Sequence, residues 1–207
     1  MSASGNPAAS LVNLPNALTA FRLLCVPVLI VLLAMPPGEV GLTRDLAAVV
    51  FVCASITDIL DGVIARRRGQ VTAFGTLADP IADKALVGTA LIGLSLLGEL
   101  PWWVTLVIGV REIGVTALRL WVVRQGVIPA SRGGKLKTVV QTIAITMYLL
   151  APPAGIAVSG FAGAWDIARM TVMGVAIVLT VVTGVDYVVR ALRLREDAER
   201  EVPDGSG

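Results

Sequence analysis

The chain has 207 residues, 56% of them hydrophobic and only 15% charged, with a formal net charge of +2. Apolar runs long enough to cross a bilayer recur along it, which excludes a soluble globule, and no nucleic-acid partner is expected. There is no histidine, which removes imidazole metal ligands and a phosphohistidine intermediate, and Cys25 and Cys53 fall in apolar segments with neither a disulfide framework nor metal-ligand spacing.

Residues 1–12 form an N-terminal cytoplasmic segment. Met1 to Ser10 is small and polar and lacks a basic n-region, and the apolar run after it is long for a signal-peptide core, so an uncleaved first span is expected. Six spans follow, at about Ala17–Met35, Leu46–Ala65, Gly75–Leu97, Pro101–Val123, Leu136–Ala151 and Ala168–Val189. Each is near the roughly 20 residues that a spanning helix needs, the fifth being short. Helices are the expected form because their backbone groups pair internally in lipid. The connections are brief, so neighbours run antiparallel. The predicted fold is an all-α integral membrane protein with six transmembrane helices in one domain, residues 13–190. A cytoplasmic tail, 191–207, mixes charges and ends in Pro, Gly and Ser, which reads as a short amphipathic stretch followed by disorder.

Lys and Arg set the orientation. Arg67, Arg68, Arg124, Arg132, Lys135, Arg193, Arg195 and Arg200 fall on one side, against Arg44 and Arg169 on the other, so both termini are expected in the cytoplasm. Each span is also more polar in its cytoplasmic half. Asn16, Thr19 and Arg22 open the first; Asp58 and Asp61 close the second; Asp79, Asp83 and Lys84 open the third. Arg111, Glu112 and Arg119 fall in the middle and late fourth; Lys135, Lys137, Thr138 and Gln141 open the fifth; Asp186 and Arg190 close the sixth. This predicts a polar cavity open to the cytoplasm above a dry plug. A transporter or channel would carry polar groups along a full path, and the outer halves, such as Ala90–Leu97 and Thr171–Thr183, hold no charge.

The densest chemistry runs from Asp58 to Asp83. Carboxylates inside a membrane are costly and mark function by default. Asp58 and Asp61 are three apart and Asp79 and Asp83 four apart, so each pair shares a helix face. Four such groups cannot stay ionised side by side without cations. Hard oxygen ligands in this number suit Mg²⁺, Mn²⁺ or Ca²⁺ and could hold two ions. A divalent cluster suits a pyrophosphate, and cationic side chains suit a second, anionic substrate. Arg111 and Arg119 are eight residues apart, about two helical turns, on roughly one face. Lys135 and Lys137 open the fifth span, with Arg132 and Gly133–Gly134 just before them. Snorkelling and positive-inside anchoring account for the loop cations equally well. Asp186 and Arg190, four apart, read as a structural pair.

The spacing Asp58-x2-Asp61-Gly62-x2-Ala65-Arg66-x8-Gly75-x3-Asp79-x3-Asp83 resembles the signature of the CDP-alcohol phosphatidyltransferase family, with every fixed position filled. The resemblance covers nearly the whole chain. The opening Asn13 to Arg22, the stretch Arg111 to Arg119, and Gly126 to Thr138 followed by Gln141 are similar to the bacterial phosphatidylglycerophosphate synthase subgroup of that family. The resemblance implies phosphatidyl transfer from CDP-diacylglycerol to sn-glycerol 3-phosphate, giving phosphatidylglycerol phosphate and CMP. It implies two Mg²⁺ or Mn²⁺ ions on Asp58, Asp61, Asp79 and Asp83, with Asp83 as general base. It places Gly62, Ala65, Arg66, Thr72 and Gly75 around the cytidine diphosphate, with Asn16 and Thr19 completing that pocket. It leaves Arg111, Arg119, Lys135 and Lys137 for the acceptor phosphate, and it implies a homodimer in the cytoplasmic membrane with the site facing the cytoplasm. Three alternatives stay open: another acceptor, such as inositol phosphate or phosphatidylglycerol; a transporter; and a non-catalytic membrane scaffold.

Overall fold

The computed structural model describes residues 14–35, 40–68, 73–122, 132–150 and 162–200, with the side chains at 15, 40, 59–68, 73–77, 119–122, 132–133, 162 and 195–200 outside that description. Among the described residues there are six helices: α1 Leu14–Ala34, α2 Val40–Arg68, α3 Ala73–Leu96, α4 Trp102–Val122, α5 Arg132–Leu149 and α6 Ala162–Arg200. They fall on the six stretches expected, and α5 is the shortest at 18 residues. Two of them, over Asn16–Ala34 in α1 and Gly163–Leu194 in α6, are long and apolar enough to cross a bilayer, with mean hydropathies of 2.4 and 2.1. Exposed side chains on these helices are Leu, Ile and Val, including Leu24, Ile30, Val31, Val178 and Val182. Such faces suit a lipid solvent rather than water. Helix α6 runs unbroken to Arg200, past the end of the sixth span expected near Val189. The segment Ala191–Arg200 is built from Ala, Leu, Arg and Glu with one Asp, and these mostly strong helix formers continue the helix past the apolar run. The predicted pocket residue Thr72, the N-terminal segment and 201–207 lie outside the described residues.

The chain divides into two compact units. The first holds α1, α2 and α3 with Tyr148–Ala151, and α1 packs on both α2 and α3. The buried stripe of α1 explains this packing. Asn16, Thr19, Arg22, Cys25, Leu29 and Leu33 recur every three or four residues and are all buried. The stripe is polar in its first half and apolar in its second. Small residues let the partners approach: Ala47, Ala48 and Ala54 on α2, and Ala78, Ala82 and Ala90 on α3, are buried. At Gly93 of α3 a Cβ would come within 2.5 Å of Leu33 Cδ1, so a larger residue there would make that leucine methyl shift.

A Schellman turn ends α3. Gly98, at φ 74°, takes the left-handed conformation, its N–H donates to Ser95 O at 3.1 Å, and Glu99 N–H donates to Leu94 O at 3.0 Å. The turn delivers Glu99 to Arg44 of α2, whose Nη1 lies 2.7 Å from Glu99 Oε1 and whose Nη2 donates to Tyr148 O at 2.9 Å. The second unit holds α4, most of α5 and α6, with α4 packed on α6. Its buried stripe on α6 is Met173, Ala176, Thr180, Gly184 and Ala191.

Candidate functional site

In the first unit the polar half of α1 meets the carboxylates of α2 and α3. Arg22 is fully buried and its Nη1 stands 2.7 Å from Asp58 Oδ1, while 38% of the Asp58 side chain is exposed. Thr19, also buried, donates its hydroxyl to Asp79 Oδ1. Asn16 is buried one turn earlier on the same face. Asp58 lies within electrostatic reach of Arg22, Asp83 and Asp79 together. Asp58, 21 and 25 residues before Asp79 and Asp83 in the sequence, is thus brought near both. α1 brings them one cation and one hydroxyl donor. Asp61, Gly62, Ala65 and Arg66 continue α2, and Gly75 sits in the first turn of α3, as backbone positions whose side chains lie outside the description.

These donors fit a hard divalent cation by chemistry: all are carboxylate oxygens, and histidine is absent from the chain. Among the described residues no three acidic or thiol groups form a ligand cluster around one point. Two of the described carboxylates instead have protein partners, Arg22 for Asp58 and Thr19 for Asp79. Asp61, whose side chain lies outside the description, is the remaining signature carboxylate.

In the second unit the predicted cations sort into different environments. Lys137 is 3% exposed and its ammonium pairs with Glu112 Oε1. Arg111 Nη1 lies 3.3 Å from the same oxygen, and its Nη2 donates to Thr183 Oγ1 at 3.2 Å. Glu112 thus holds a cation from its own helix and one from α5, and net positive charge remains. Arg111 reaches α6 at Gly184, where a Cβ would stand 3.1 Å from its Cγ. Lys135, by contrast, is exposed at the start of α5. Arg119 and Arg132 are on α4 and at the head of α5, with side chains outside the description. Asp186 and Arg190 form the expected local pair, Nε to Oδ2 at 3.0 Å, with both side chains about half exposed.

Sequence reasoning gave two residues here no role. Arg22 read only as a polar opening to the first span; its spacing from Asn16 and Thr19 on one face was the signal that it turns inward. Glu112 read only as one of the charges of the fourth span, because its bond to Lys137 joins residues 25 apart and depends on how α4 and α5 are placed.

A family model described as CDP-alcohol phosphatidyltransferase matches residues 12–182. The chain is 52% identical over 185 residues to a protein of Mycobacterium tuberculosis (strain CDC 1551 / Oshkosh) named probable phosphatidylglycerophosphate synthase, across 89% of this chain and 84% of that one. It is 40% identical over 176 residues to the CDP-diacylglycerol–glycerol-3-phosphate 3-phosphatidyltransferase of Rickettsia typhi (strain ATCC VR-144 / Wilmington), across 84% and 94% of the two chains. It is also 40% identical over 148 residues to the protein of the same name from Bacillus subtilis (strain 168), across 67% and 77%.

Proposed function

We propose that this chain, which belongs to the CDP-alcohol phosphatidyltransferase family, transfers the phosphatidyl group of CDP-diacylglycerol to the 1-hydroxyl of sn-glycerol 3-phosphate and releases CMP. The observation that carries the reading is the complete signature, two of whose carboxylates, Asp58 and Asp79, are met by Arg22 and Thr19 of α1, with Asp83 in electrostatic reach of Asp58. The names of the relatives support the acceptor.

In this reading Asp58, Asp61, Asp79 and Asp83 hold two Mg²⁺ or Mn²⁺ ions. When bound, these supply charge neutralisation at the pyrophosphate and at the leaving phosphate. The chain's own groups do the rest. Arg22 and Thr19 fix the rotamers of Asp58 and Asp79 from the buried face of α1, as positioning residues. Asn16, Gly62, Ala65, Arg66, Thr72 and Gly75 surround the cytidine diphosphate. Asp83 takes the proton from the acceptor hydroxyl as its oxygen bonds to the phosphatidyl phosphorus. The bond from that phosphorus to the bridging oxygen breaks, and CMP leaves with the electron pair. Arg111, Lys137, Lys135 and Arg119 supply positive charge for the acceptor phosphate. The buried lysine and the guanidinium resting on Gly184 are the preorganised members, and preorganised charge needs no reorganisation when substrate arrives.

The membrane reading that accompanies this has all six helices crossing the cytoplasmic membrane, with both termini and the polar helix ends at the cytoplasmic face. The charge asymmetry of the loops supports it. A homodimer rests on the family resemblance.

The test is CMP release by purified protein supplied with CDP-diacylglycerol, Mg²⁺ or Mn²⁺, and glycerol 3-phosphate, inositol phosphate or phosphatidylglycerol in parallel. Turnover with glycerol 3-phosphate is expected. Turnover with another acceptor alone would keep the carboxylate site and overturn the assignment of the acceptor.

A further inference from the structure

Lys137 and Gln141 are four residues apart on α5, so they share a face, and both are buried, Gln141 at 4% exposure. The lysine has its carboxylate partner in Glu112. The glutamine does not: its Oε1 is sealed from solvent and has no hydrogen-bond partner among the described residues. A buried amide oxygen left unpaired is costly, and more so in a lipid surrounding that offers no water. A second group of the same kind lies on α6. Thr180 is fully buried and its hydroxyl also has no partner among the described residues. It does not donate to the carbonyl four residues back, as Thr183 does to Leu179 O at 2.6 Å. Each of these groups stands one turn from a member of the cationic cluster: Gln141 from Lys137, and Thr180 from Thr183, which accepts from Arg111.

The pattern is two cations suited to a phosphate, flanked one turn away by polar groups that want an O–H partner. A small hydroxylated phosphate ester has that combination. We infer that Gln141 is a specificity-determining residue whose amide oxygen accepts a hydrogen bond from the secondary hydroxyl of the acceptor, beside the phosphate that Lys137 and Arg111 attract. This rests on the acceptor proposed above. A site built to pair a substrate hydroxyl rejects the analogue that lacks it, because its own polar group is then left unpaired.

The experiment compares sn-glycerol 3-phosphate with 3-hydroxypropyl phosphate. The latter keeps the primary hydroxyl and the phosphate and lacks the secondary hydroxyl. Initial rates of CMP release give kcat/KM for each on the full chain in detergent. Wild-type protein should prefer the natural acceptor by about 10- to 100-fold. Gln141→Met, which keeps the unbranched shape, should lose activity on glycerol 3-phosphate alone, bringing the two acceptors within about threefold, with the KM for CDP-diacylglycerol unchanged. No preference in the wild-type protein overturns the inference without recourse to any variant. A preference that survives Gln141→Met overturns it as well. Wild-type turnover with neither of these two acceptors, but with another, removes the underlying reading instead, so the two failures are distinguishable.

Discussion

Gly184→Ala should raise the KM for glycerol 3-phosphate about tenfold and leave the KM for CDP-diacylglycerol unchanged. The added Cβ would stand 3.1 Å from Arg111 Cγ and 3.8 Å from its Nε. Carbon atoms rest at about 3.5–4.0 Å, so the arginine stem must retreat by several tenths of an ångström. Its contacts to Thr183 and Glu112, at 3.2 and 3.3 Å, already lie at the long end of the hydrogen-bond range and lengthen first. A hydrogen bond to a charged group contributes about 1.5–3 kcal/mol. Partial loss of one is therefore about 1.4 kcal/mol, or tenfold in affinity. Gly174→Ala is the matched control, on the same helix with nothing within 4 Å of the new methyl. Both variants gain helix propensity, by about 0.5–1 kcal/mol, so stability does not separate them. Initial-rate CMP release at varied acceptor and varied donor does. If Gly184→Ala and Gly174→Ala gave the same acceptor KM, the seat of Arg111 on Gly184 would have no part in acceptor binding.

Three further outcomes are expected. Glu112→Gln removes the carboxylate shared by Lys137 and Arg111, and breaking a buried pair on one side costs about 3–5 kcal/mol. The thermal midpoint in detergent should fall by about 6–20 °C, and an unchanged midpoint would mean the lysine is satisfied without it. Arg22→Met leaves Asp58, which also feels Asp79 and Asp83, without its buried counter-charge, so Mn²⁺ should raise the melting temperature of this variant more than that of the wild type. Equal shifts would show that Arg22 does not offset the cluster. Asp186→Asn should change stability by less than about 0.5 kcal/mol, because its pair with Arg190 is an exposed one-turn contact. A loss of several degrees in the melt would assign that pair a larger role.

The parts legible in the sequence are those with local rules. Apolar length located the six helices, and one-turn spacing identified Asp186 with Arg190. A rigid signature singled out Asp58 to Asp83. What the sequence hid depends on distant neighbours. Lys135 and Lys137 look alike on paper, yet one is exposed and the other buried against a carboxylate 25 residues away. Arg44 read as a marker of the outer side. It also ties α2 to Glu99, a contact that exists only because Gly98 turns the chain after α3. The change from apolar to mixed charge near Val189 read as the end of the sixth span with a short amphipathic stretch after it; that the helix itself runs on to Arg200 was not legible from hydropathy, because helix propensity and hydropathy are separate properties.

The length of α6 has a mechanical consequence. At 39 residues and about 1.5 Å per residue it is about 58 Å long, nearly twice the roughly 30 Å of a bilayer's hydrocarbon. If α6 crosses the bilayer as proposed, a rod of that length cannot match the membrane at both ends, so its depth is set where apolar side chains give way to Asp186, Arg190 and Arg193. The remainder acts as a lever. A 10° change in tilt moves one end by about 10 Å relative to the other, on the same rise per residue. Lipid thickness, which sets tilt, is thereby amplified into displacement of the charged last turns, while Gly184, well along the rod, moves far less.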